Sequence, residues 1–260
     1  AIEDGVARWD QVIDAASNAS IKIKVTDNAS GNALASAKAL DWKPTNDSRD
    51  GEDIWEPGVQ RILRGDGDTN GGSADAEINV NTGKLDSFDY DGSFDGNEQY
   101  NATDIMMHEF GHALGFLTFG KNNTNADTIY ESFVEEHSGE FWFTGANAMA
   151  ANGGQEVELA KDQGSGFINK ITHLSEDAHD KALMSPIAER KELVQLSDPA
   201  QGMLEDMGYN LHDTQTSLAE PTSALAATTA DRDPADGTAD DGSPGLLGVG
   251  SDNDDPVAFV

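Results

Sequence analysis

The sequence predicts an α+β fold: a mixed, twisted sheet packed on an N-terminal helix and on a second helix near mid-chain, then a loop-rich C-terminal part closed by a terminal helix. Three observations lead there. Ile2, Val6, Trp9, Ile13 and Ala16 recur at steps of four and three through residues 3–16, the period of a helix with one buried face. "IKIKV" at 21–25 and "DAEINVN" at 75–81 alternate with period two, the latter setting Ala76, Ile78 and Val80 on one side, as strands do. "TDIMMHEFGHALGF" at 103–116 is an apolar helical run that Thr103 is placed to cap and Gly115 to stop.

The remaining elements are weaker. "GVQRIL" at 58–63 is a minor strand candidate, and clusters such as "GDGDTNGGS" and "DYDGSFDGNEQYN" are turns and loops. Residues 120–170 are loop-rich, with a short helix expected at "DTIYESFVEEH". The last ordered element is "DPAQGMLEDMGY", where Pro199 begins a helix and Gly208 ends it. One domain over 1–212 is expected, divided into an N-terminal subdomain 1–117 and a C-terminal subdomain 118–212. From Asp213 to Val260 the Ala, Thr, Asp, Gly and Pro content predicts a disordered acidic tail.

Composition excludes several classes. With 260 residues and 37% hydrophobic content the chain can bury a core, and no run approaches the roughly 20 apolar residues of a membrane span. The opening "AIEDGVARWD" lacks the basic and apolar regions of a signal peptide, so the expectation is either a cytoplasmic chain or one whose leader has been removed. There is no cysteine, so disulfides and thiolate metal sites are excluded and a transition-metal site must use His and carboxylate. The formal charge of −32 argues against nucleic acid or an anionic membrane as partner. Only ten of the acidic residues lie beyond 212, against one Arg, which leaves 38 acidic and 15 basic residues in the body. An Asp-rich, Lys-poor body is expected of a halophilic protein, in whose medium salt screens the self-repulsion; an acidic secreted mesophilic protein is the alternative.

The chemistry sits in "HEFGHALGF". Positions i and i+4 share a helix face, so His108 and His112 can present imidazoles to one ion with Glu109 alongside. Two imidazoles need a third protein ligand from elsewhere. Gly115 can turn the chain back sharply after the helix, but the position three residues further on is Thr118, so the ligand comes later. Residues 173–186, "HLSEDAHDKALMSP", offer His173 and, as rival, His179, followed by Met184 in a turn-like context ending at Pro186. His137 and His212 read as surface residues.

The joint arrangement of an HExxHxxGF helix, a long insertion with "FTGANAMAANGGQEVEL", a distant His and "LM" before a small residue and Pro resembles the leishmanolysin-like branch of the metzincin metallopeptidases, over about residues 75–210. The resemblance implies a metzincin-like fold and zinc bound by His108, His112 and His173. It implies Glu109 as general base and Met184 as the Met-turn residue under the metal. It also implies an endopeptidase acting on proteins and peptides; a secreted or cell-surface location and a monomer are expected. The strand "AEINVN", by the same resemblance, is expected at the sheet edge, open to an extended substrate. No Tyr follows Met184 before Tyr209, so no oxyanion role is assigned to one.

Alternatives stay open. A thermolysin-like peptidase would take its third ligand from Glu131, Glu135 or Glu136, and a non-catalytic surface or adhesion module would keep the fold without the reaction. Residues 66–77 also fit a calcium loop, with Asp66, Asp68, Asn70, Gly71 and Glu77 at the pattern's spacings, although a helix on each side is wanting.

Overall fold

The computed structural model describes residues 1–16, 21–27, 33–94, 100–119, 126–161, 171–179, 181–186, 191 and 194–212. The expected tail at 213–260 lies outside the described residues. The architecture is a mixed α+β one with several small sheets around a buried central helix.

Helix α1 (Ile2–Asp10) is shorter than the expected 3–16. The chain leaves the helix because residues 12–14 find another partner: Ile13 bridges Leu211, Asp14 N–H donates to Asn210 O, and His212 N–H donates to Val12 O. The first sheet has the order β1-β5-β2, from β1 (Ile23–Thr26), β2 (Ala35–Ala39) and β5 (Ala76–Val80), with β1 parallel and β2 antiparallel to β5. The "AEINVN" strand is therefore central. Both of its edges are hydrogen-bonded to neighbours, so it cannot receive a substrate strand; the expected edge position is corrected.

Strands β3 (Trp42–Arg49) and β4 (Glu52–Pro57) form a hairpin absent from the sequence expectations, turned by Asp50 and Gly51, both at positive φ. "GVQRIL" is not a strand but helix α2 (Gly58–Arg64). Its buried residues Val59, Ile62 and Leu63 sit at helical spacing, and Gly65 at φ 88° closes it with a left-handed cap. Short parallel strands β6 (Phe88–Asp89) and β7 (Tyr100–Asn101) lead into helix α3 (Ala102–Leu114).

The expected helix at "DTIYESFVEEH" is strand instead. β8 (Ala126–Thr128) joins β4 in parallel, a 3₁₀ turn covers Glu131–Phe133, and β9 (Val134–His137) pairs with β10 (Glu140–Phe143) through Ser138 and Gly139, again at positive φ. β11 (Val157–Glu158) completes that sheet beside helix α4 (Ala146–Ala151). Helix α5 (Asp198–Asp206) has Ser197 as N-cap, Pro199 in its first turn and Gly208 at φ 91° just beyond it. Gly202 allows α5 to pack on the backbone of Ala148 in α4, and Tyr209 donates its hydroxyl to Leu114 O, tying the C-terminal part to the end of α3. Among the described residues no helix is long and apolar enough to cross a membrane.

Candidate metal centre

Helix α3 is the core of the molecule: every residue from Ala102 to Leu114 is buried except His108. It opens at Asn101, whose side-chain oxygen accepts from Asp104 N–H at 3.0 Å; Thr103, the expected cap, is already inside the helix. It ends at Gly115, whose φ of 126° suits glycine alone.

Three imidazoles converge over this helix. His112 Nε2 lies 3.0 Å from His108 Nε2, and His173 Nε2 lies 3.3 Å from the same atom. Ligand atoms about 2.0–2.1 Å from a tetrahedral ion are separated by roughly 3.3 Å, so the spacing suits a single small cation. Each Nδ1 is occupied on the far side of its ring: His108 with Leu183 O at 2.6 Å, His112 with Phe116 O at 2.8 Å and His173 with Thr172 Oγ1 at 3.0 Å. A carbonyl accepts only from N–H, so His108 and His112 carry their protons on Nδ1 and turn the Nε2 lone pairs inward.

Burial holds these rings neutral. Desolvation pushes the His108 pKa below its ordinary value, and desolvation together with the nearby His108 pushes His112 down to about 3. Neutral lone pairs facing one another at such distances repel unless a cation sits among them. Glu109 adds the complementary irregularity: its Oε2 is buried with no hydrogen-bond partner among the described residues, and burial raises its pKa to about 8. The residues therefore fit a metal ion: three converging imidazole nitrogens, and a buried carboxyl group that has no hydrogen-bond partner for its Oε2 among the described residues and that a cation would bring back to its charged form. His108, His112 and His173 are the one such group of three or more His or carboxylate ligands close together among the described residues.

Met184 is fully buried against the same helix. A Cβ on Gly111, between the two helical histidines, would overlap Met184 Sδ and lie 3.1 Å from its Cε. The bare glycine is what lets the thioether sit there. Gly111→Ala is expected to cost roughly 1–3 kcal/mol through overpacking, read from denaturant unfolding of the metal-free protein; unchanged stability would mean that Met184 has room to move. The segment carrying Met184 is laced to both outer ligands, since Leu183 O faces His108 and Met184 O accepts from Leu174 N–H, next to His173.

The other candidates lie elsewhere. His179 stands apart from the cluster, half-buried, and His137 pairs with Glu156 at the surface. His212 is an exposed residue of the segment paired to Val12. Glu131 accepts from Thr118 Oγ1, Phe119 N–H and Thr128 N–H, so it fixes the chain that leaves Gly115. Glu135 pairs with Arg49, and Glu136 lies in β9 opposite Phe141. None of the three glutamates joins the histidines.

The calcium-loop residues do not converge. Asp66 pairs with Arg64, Asp68 accepts the backbone N–H of Asn70 and Gly71, and the Asn70 amide donates to Ala74 O and Asp75. Glu77 is in β5, in register between Lys24 and Lys38 and bridged to both. The strand after the loop points Glu77 at neighbouring lysines rather than back toward the loop, which removes the last ligand of the pattern.

Neither the family models nor the curated proteins nor the solved structures contain a match to this chain. The orienting groups Leu183 O, Phe116 O and Thr172 had no sequence signal beyond their neighbours, whereas Gly111 inside "HEFGH" was a visible hint of close packing on the helix.

Proposed function

We propose that this chain is a zinc-dependent endopeptidase of metzincin type, with His108, His112 and His173 as metal ligands and Glu109 as general base. The observation that carries the reading is the convergence of three imidazole Nε2 atoms, two of them on rings held neutral by burial, beside a buried carboxyl group whose Oε2 has no partner among the described residues. Three protein nitrogens leave a tetrahedral ion one open position, as in catalytic rather than structural sites. When bound, zinc supplies Lewis-acid polarisation of a carbonyl and lowers the pKa of water toward about 7.

The chain's own residues do the rest. Leu183 O and Phe116 O fix the tautomers and ring orientations of the helical ligands, and Met184 forms the apolar floor beneath them. Glu109, whose pKa burial raises to about 8, holds its proton in the metal-free chain; with a cation beside it the group would be a carboxylate placed to accept a proton from water and pass it to a leaving amine nitrogen. The buried surroundings restrict competing solvent around it.

Casein digestion with and without a chelator, compared with a Glu109→Ala variant, tests the proposal. Cleavage that survives either treatment would overturn it, and absent cleavage would overturn it in favour of a binding module. We further propose extracellular action, because a general peptidase is safer outside the cell, and, on the charge of −32, a high-salt setting. Thermal stability is expected to rise as salt goes from 0.1 M to 2 M, because screening shortens the reach of like charges from about 10 Å to below about 3 Å. A melting temperature that falls over that range would count against the halophilic reading.

A further inference from the structure

His108 is oriented by a group far away in the chain: its Nδ1 meets Leu183 O, 75 positions on, whereas the Nδ1 of His112 meets Phe116 O and that of His173 meets Thr172 Oγ1, both close in sequence. The aim of His108 therefore depends on how the 181–185 turn docks on α3. That turn is backed by one short segment. Leu183 N–H donates to Gln195 O at 2.7 Å, and Gln195 N–H donates to Lys181 O at 3.0 Å, a parallel bridge between 182 and 195.

The segment is in turn held to α3 by Asp104, one helical turn before His108. Asp104 is 4% exposed; its Oδ2 accepts Val194 N–H at 3.0 Å and its Oδ1 accepts from Arg8 Nη1 of α1 at 3.2 Å. The hydrogen bonds form a closed circuit: Asp104 to Val194, Gln195 to Leu183, Leu183 to His108, and back along the helix to Asp104.

We propose that Asp104 is a positioning residue for the metal centre, setting the height of the Met184 turn over α3 and thereby the direction of the His108 lone pair. The proposal rests on the metal-site reading. A buried carboxylate at this place does two separable things. The ion pair with Arg8 fastens α1, and the acceptor for Val194 N–H fastens the turn; of these two contacts the second is the one joined to His108 through Gln195 and Leu183. An asparagine keeps an acceptor oxygen and loses the charge.

The test is zinc affinity, by competition with a chromophoric chelator, together with the ligand-field spectrum of the cobalt-substituted protein. Asp104→Ala is expected to weaken zinc about 10–100-fold, the usual worth of a group orienting a ligand, and to shift the cobalt spectrum. Val194→Pro, which removes the donor N–H while leaving Asp104 in place and also fixes the local φ, is expected to do the same and carries the test if the alanine variant fails to fold. Asp104→Asn and Arg8→Ala are expected to stay within about threefold of wild type in zinc affinity, whatever they cost in overall stability. Wild-type affinity in both Asp104→Ala and Val194→Pro overturns the inference, as does an equal loss in Arg8→Ala, which would assign the effect to α1. A wild-type chain that binds no zinc overturns the metal reading itself, a distinct result.

Discussion

Alanine at position 173 is expected to strip the chain of its metal, while alanine at position 136 leaves metal content unchanged. Among the described residues His173 supplies one of the three nitrogens that meet, with its Nε2 3.3 Å from that of His108, and it is itself 8% exposed, so no water-borne substitute has easy access. Removing a direct donor should exceed the effect of removing an outer partner, so the loss in affinity is placed above about 100-fold. Equilibrium dialysis followed by metal analysis of wild type, His173→Ala and Glu136→Ala decides the matter. Retention of zinc by His173→Ala, with loss in Glu136→Ala, would transfer the third ligand to a glutamate and the chain to the thermolysin-like class.

Glutamine at position 109 is expected to lower kcat by about 10²–10⁴-fold, the usual worth of a general base, with zinc content unaltered. The same variant has a signature that needs no substrate. In the metal-free protein Glu109 has a pKa of about 8 against 4.5 for a free side chain, raised by burial, so at pH 7 it is largely protonated. The helical imidazoles are already neutral there. Loading a divalent cation should therefore release about one proton, and it should come from the carboxyl. Calorimetry in buffers of different ionisation enthalpy measures it; Glu109→Gln should release almost none. The linked stability runs the same way: the raised group's contribution is intact below pH 4.5 and is lost as pH climbs through about 8. Chelated wild type should thus lose melting temperature on the alkaline side more steeply than chelated Glu109→Gln. Equal proton release from both chains would show that Glu109 does not face the ion.

The parts of this molecule legible in its sequence are those where one residue type has few alternatives. Without cysteine, imidazole and carboxylate are the remaining ligands for a borderline transition metal such as zinc, so the His pair of α3 and the later His173 could be singled out. Gly115 and Gly208 were readable because a chain reversal after a helix demands positive φ. The strand β3 was not readable: "WKPTNDSR" has little apolar character and carries a bulge between Pro44 and Ser48, so its pairing rests on the Asp50–Gly51 turn rather than on a pattern. For α2 and for 127–137 the apolar runs were too short to separate a period of two from one of 3.6, and the neighbouring caps decided. The placement of β5 at the sheet centre depends on which strands flank it, and β2, rich in alanine and serine, gave no strand signal. Backbone acceptors such as Leu183 O have no side-chain signature at all.

A bound ion here would also be a cross-link. Two of its anchors are adjacent turns of the central helix, and the third enters from a point 65 positions beyond His108, so the ion closes a long loop without any disulfide. Mechanical integrity and catalytic competence then rest on one removable atom. If the proposed peptidase reading holds, a metal-poor medium would silence and loosen the chain in the same event and expose its backbone to copies still loaded, so that metal supply would govern how long the population persists as well as how fast it works.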